Sequence, residues 1–160
     1  SMPLFASACY DSEKVLSIVK FPDYRLRKVS SEITNIDDVV LDLQDSLVET
    51  MRYNLSLGLS APQVGINLRM ITCRFRFNGE ESGIYSMINP VITKREGEYK
   101  SLEGCISVRG HRKRIERSRM VTASYLDGSG VERSITVKNK NAALLQHEID
   151  HLDGRLITDY

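Results

Sequence analysis

The sequence predicts an α+β fold in a single domain, with antiparallel strands packed around a central helix. Three observations carry this. Two segments show the three-and-four spacing of amphipathic helices, and four show the β-branched and aromatic enrichment of strands between turn signals. The chain has 160 residues, enough to bury one good core without disulfide staples.

In chain order, residues 1–14 are expected to form a flexible N-terminal extension. Pro3 to Cys9 has a superficial likeness to a processed leader, but no basic segment precedes it and the apolar stretch is short. Ser1 before Met2 reads as a cloning remnant. The domain itself is expected over residues 15–160. Val15 to Lys28 reads as extended chain and a turn at Pro22-Asp23, with Arg25, Arg27 and Lys28 exposed. Asp37 to Tyr53 places Val40, Leu43, Leu47, Val48 and Met51 on one helical face, which should pack on a sheet. Arg69 to Phe77 and Gly83 to Thr93 are expected strands, with Asn78-Gly79 and Asn89-Pro90 as their turn signals. Met120 to Leu126 and Val131 to Val137 alternate about Asp127-Gly128-Ser129-Gly130, a hairpin. Asn141 to Leu152 is a helix stopped at Asp153-Gly154.

With 22 basic against 21 acidic residues, nothing global points to a nucleic-acid binder or a membrane-surface protein. No apolar run approaches the ~20 residues that span a bilayer. Cys9, Cys73 and Cys105 cannot all pair within the chain, and a reducing cytoplasm fits them best. There, a cysteine near histidines is more apt to hold metal or do chemistry than to form a bridge.

Gln146-His147-Glu148-Ile149-Asp150-His151 contains HExxH, which sets two imidazoles one turn apart on one helical face. The chain has only three histidines, and two fall at this spacing. The plainer alternative is a helix with two polar residues on an exposed face. Glu148, about 100° around the helix from His147, stands where a general base can reach water beside an ion without ligating it. Two imidazoles do not make a tight site, and catalysis leaves one position open for water. Cys105, in Glu103-Gly104-Cys105-Ile106-Ser107, is the leading third ligand. Gly104 before it permits close backbone approach. Cys73, inside an apolar strand, reads as a small buried hydrophobe.

Gly58 to Gly65 (GLSAPQVG), Glu103 to Ser107 (EGCIS) and Gln146 to His151 (QHEIDH) together resemble peptide deformylase, from about Val15 to Tyr160. The resemblance implies a helix supplying two histidines, an adjoining strand supplying cysteine, and one divalent ion per chain, with Fe2+ native and Zn2+ or Ni2+ as substitutes. It implies as substrate the N-formylmethionyl end of a nascent polypeptide, split into formate and a free amine. Gln63 corresponds to the oxyanion-stabilising glutamine, Ile106 to the residue whose backbone N–H assists it, and Leu57 with Gly58 to the strand that pairs with substrate. Gly104 belongs to the same substrate-facing wall. Ala143 and Leu144, four and three residues before His147, are expected to floor an apolar pocket beside the ion. Ribosome association is a further partner expectation, without the C-terminal helix that carries it in many bacterial relatives. The family pattern has glycine where this chain has Ser56 and alanine where it has Ser60, so the substrate edge is where this chain departs. A positive φ at Ser56 would cost on the order of 1 kcal/mol.

A metal ion brings the pKa of bound water toward ~7, Glu148 takes the proton, and Gln63 with the Ile106 N–H receive the oxyanion. A zinc peptidase would take its third ligand downstream of His151, and a structural metal would normally have four protein ligands. The basic stretch Arg109 to Arg119 reads first as a solvated loop and edge strand, and second as an attractor of peptide carboxylates or RNA. His111 within it is not an expected ligand.

Overall fold

The computed structural model describes residues 10–78 and 83–160. Five antiparallel strands form one sheet in the order β1-β2-β3-β6-β7: β1 Gly58–Ser60, β2 Met70–Phe75, β3 Gly83–Glu96, β6 Met120–Leu126 and β7 Glu132–Lys138. A separate two-stranded ribbon pairs β4 Tyr99–Cys105 with β5 Val108–Arg117. The helices are α1 Asp38–Tyr53 and α2 Lys140–Leu152.

The alternation of β2 distributes the core. Ile71, Cys73 and Phe75 join Met87, Leu145, Ile149 and Leu152 under α2. Met70, their immediate neighbour, packs instead with Leu47, Met51 and Ile88 under α1. Successive strand side chains point to opposite faces, so the helices cover different faces of the sheet. α1 begins where Asp37 accepts a hydrogen bond from the Val40 N–H (3.0 Å), an ordinary N-cap. α2 ends before Gly154, which has φ 72° and sits against the Arg27 carbonyl where no Cβ would fit.

One boundary differs from the expectation. Asn89-Pro90 does not end a strand, since β3 runs through it to Glu96 with a register shift between Ile88 and Val91. Asn89 takes φ 52°, and its side-chain amide exchanges two hydrogen bonds with the Ile33 backbone (2.9 and 2.8 Å). The bulge puts Pro90, which has no N–H, where the ladder is already broken.

The expected extension lies outside the described residues for positions 1–9. Residues 10–14 lie along α1: the Tyr10 ring stands 5.1 Å from that of Tyr53, and the Asp11 N–H donates to Glu49 (2.9 Å). The segment from Val15 to Lys28, which showed no chemistry in sequence, straps two loops together. The Val19 N–H donates to the Gln63 carbonyl and the Phe21 N–H to that of Ser107 (2.8 Å each), while the Lys20 ammonium donates to the Ile106 carbonyl (2.9 Å).

Candidate metal centre

α2 lies with one face on the sheet and the other toward the ribbon, so His147 and His151 emerge together beside the end of β4. Their Nε2 atoms are 3.2 Å apart, and Cys105 Sγ is 3.5 Å from that of His151. Tetrahedral bonds of ~2.0–2.1 Å to nitrogen and ~2.3 Å to thiolate sulfur separate two ligand nitrogens by about 3.3–3.4 Å, and nitrogen from sulfur by about 3.5–3.6 Å. The three donors fit one ion. They form the only such group of histidine, cysteine or carboxylate donors among the described residues. Cys73 is fully buried in the core under α2, as expected for a packing residue.

His147 is oriented from behind. Its Nδ1 faces Glu103 Oε1 at 2.8 Å, leaving Nε2 toward the other donors. Glu103 receives two bonds from Arg117 (2.6 and 2.8 Å), and Arg117 also donates to Asp150 (2.6 Å), which accepts a further bond from the Tyr160 hydroxyl (2.6 Å). Burial works against charge on Glu103, but the Arg117 and His147 hydrogen bonds outweigh it and hold its carboxyl down at about 2. Burial likewise opposes charge on His147, yet hydrogen bonds to Cys105 and Glu103 push it up to about 10, whereas burial and the neighbouring charge of His147 drive His151 well down.

Glu148 is the exception to this pairing. Its carboxyl is buried and Oε1 has no hydrogen-bond partner among the described residues. Burial pushes it up to about 7, against the pull of His147. Gly58 makes room for it: a Cβ there would stand 2.6 Å from Glu148 Oε2 and 2.8 Å from the Leu144 side chain, so β1 approaches α2 only through a glycine.

Gln63 is held at both ends of its amide. Its Oε1 accepts from the Ser60 N–H and the Ser60 hydroxyl (3.0 Å each), and a backbone N–H can only donate, so the amide cannot be reversed. Nε2 then points to Ser107 Oγ (3.2 Å) and Cys105 Sγ (3.6 Å). Ser60 thus adds a second donor at a fully buried position. Ser56 does not carry a positive φ, and the strain anticipated there falls on Leu55 (φ 52°); Ser56 Oγ donates to the Gly58 carbonyl at 2.7 Å.

Leu57, Gly58, Gln63, Gly104, Cys105, Ile106, Ala143, Leu144, His147 and Glu148 line one open cavity of about 850 Å³. His151, 1% exposed, sits behind it. His111 lies on the rim and not among the donors. Residues 15–160 match the family described as polypeptide deformylase. The chain belongs to that family.

A peptide deformylase of Thermodesulfovibrio yellowstonii is 40% identical over 145 residues, covering 91% of this chain and 88% of its own length. The crystal structure of peptide deformylase from Ehrlichia chaffeensis superposes with a TM-score of 0.87 at 38% identity, covering 91% of this chain and 87% of that one. A Met-Ala-Ser-bound class I type b peptide deformylase from Acinetobacter baumannii gives 0.85 at 29% identity, with 91% and 97% covered.

Sequence reasoning missed Glu103, Arg117, Asp150 and Ser60. Glu103 was findable, because it precedes Cys105 by two residues and so shares its strand face. Arg117 was hidden in a basic run that reads as solvated, and only the fold brings it to Asp150.

Proposed function

We propose that this chain is a metal-dependent hydrolase that removes the formyl group from N-formylmethionyl peptides. The observation that carries the reading is the donor triad of Cys105, His147 and His151 opening onto a cavity that also holds the buried, unpartnered carboxyl of Glu148. Cys105, His147 and His151 would hold the ion, which supplies an activated water and polarises the formyl oxygen. Thiolate and imidazole donors accept Fe2+, Zn2+ or Ni2+, and Fe2+ as the native ion, with Zn2+ and Ni2+ as substitutes, is what the resemblance to the family implies.

The remaining work falls to the chain's own groups. Glu148 accepts the proton of the attacking water and returns it to the departing amine, and its raised affinity for protons near neutrality suits both steps. Gln63 Nε2 and the Ile106 N–H donate to the oxygen that becomes negative, and Ser60 keeps the Gln63 amide turned that way. Glu103 holds the His147 ring. Leu57 and Gly58, on an edge strand, offer backbone groups to an extended peptide, with Gly104 on the facing wall. Ala143 and Leu144 floor the slot for the first side chain.

No helix among the described residues is long and apolar enough to cross a membrane. Nascent chains in a reducing cytoplasm are the substrates in this reading. Purified protein loaded anaerobically with Fe2+ should release formate from formyl-Met-Ala. An iron-loaded, folded preparation that releases none would defeat the proposal.

A further inference from the structure

Cations gather at the mouth of the cavity. Lys100 on β4, Arg112 on β5 and Lys140 at the start of α2 are all exposed and all line it, with the His111 ring beside them. None forms an ion pair with a described residue. The acidic groups on the same wall do not offset them, since Glu103 is held by Arg117 and His147, and Glu148 is buried behind Gly58. Glu116, the register partner of Lys100 and the one acidic residue of β5, is not part of the lining.

The spacing places these cations relative to a substrate. Lys140 precedes His147 by seven residues on one face of α2, about 10 Å along the axis. Lys100 precedes Gly104 by four residues on β4, about 13 Å along the strand. An extended peptide advances about 3.3 Å per residue, so a chain whose formylated end lies at the metal donors carries roughly its second to fourth side chains past this rim.

We propose that Lys100, Arg112 and Lys140, with the His111 ring as a hydrogen-bonding neighbour, form a subsite for carboxylate side chains, so that formyl-methionyl peptides with Asp or Glu just after the methionine are the favoured substrates. This rests on the deformylase reading. A nucleic-acid backbone is the competing anion, but the three cations line an opening that ends at the donors, which suits a chain entering end-on. Such contacts are solvent-exposed and individually weak, and screening by salt follows.

The test compares formyl-Met-Asp-Glu, formyl-Met-Ala-Ser and formyl-Met-Lys-Lys on the iron-loaded enzyme. At low salt kcat/KM should fall in that order, about three- to tenfold from first to second, and high salt should compress the series. With C-terminally amidated peptides, Arg112→Glu/Lys140→Glu should reverse the order and move formyl-Met-Ala-Ser least of the three, with circular dichroism confirming the fold. Binding of the unformylated peptides Met-Asp-Glu and Met-Lys-Lys, measured by calorimetry, should show the same order without any turnover. Failure of all three formyl peptides to react with that binding order intact would refute deformylation and keep the subsite. Equal kcat/KM and equal binding across the series would overturn the subsite. So would a short single-stranded RNA whose binding the double variant abolishes, if the peptides show no charge preference.

Discussion

The two faces of the β4–β5 ribbon carry charge in opposite ways. Toward α2, Glu103 and Arg117 are buried and matched group by group with His147, Asp150 and Tyr160. Toward solvent, Arg112 and Arg114 are exposed, and neither forms an ion pair among the described residues. Low dielectric makes an unmatched charge costly inside and nearly free outside. The inner charges therefore specify geometry, fixing where a ligand ring points, and the outer ones shape only a field.

Glu148 breaks the inner rule, and deleting it should have the largest effect on turnover. Glu148→Ala should lower turnover by roughly 10²–10⁴-fold, the usual share of a general base, while elemental analysis still finds an ion on each chain. Near-normal turnover would remove Glu148 from the proposed mechanism. Cys105→Ala should instead lose the metal itself, and Cys73→Ala should keep it; equal metal content in the two variants would refute the ligand assignment.

The matched pairs come next. Glu103→Gln keeps the shape and a hydrogen-bonding oxygen but removes the charge behind His147, so metal affinity should fall by roughly 10–100-fold in a chelator competition. Unchanged affinity would mean that Glu103 holds the fold and not the ligand.

The difference between the two sides of the ribbon also explains what could be read from sequence. α2 and its pair of histidines were legible because helical period and ligand spacing are both local. The third donor was harder, since nothing local ties Cys105 to His151, and motif order supplied what spacing could not. Arg117 was not legible: five cations between Arg109 and Arg117 blur the alternation that would have marked its buried side. β3 ran past Asn89-Pro90 because the Asn89 amide substitutes for backbone pairing with Ile33, a contact 56 residues away in sequence. Ser60 looked like a liability at the substrate edge and proved to be a second donor holding Gln63.

A smaller effect separates the pocket floor from the core. If Ala143 and Leu144 floor the slot beside the donors, formyl-Met peptides should be hydrolysed with kcat/KM about tenfold above formyl-Ala peptides, at roughly 0.8 kcal/mol for each methylene buried. Leu144→Asp should erode that preference selectively, because it adds a polar group to an apolar wall. Loss of both activities together with the circular dichroism signal would assign Leu144 to the core.

The smallest expected effect is that of Arg114→Ala, which gains its meaning from Arg117→Ala on the same strand. Arg114 and Arg117 lie three residues apart on β5, an odd interval, so they leave the ribbon on opposite faces. Arg117→Ala strands Glu103 as a buried carboxylate, removes one partner of the half-buried Asp150, and should destabilise the metal-free protein by about 3–5 kcal/mol. Arg114→Ala removes the same guanidinium from solvent, opposite the exposed Leu102, and should change stability by no more than about 0.5 kcal/mol. Urea denaturation of both variants, compared at equal slope, measures the two values side by side. A loss for Arg114→Ala matching that of Arg117→Ala would mean that the outer cations are structural, and the division of labour between the two faces of the ribbon would fail.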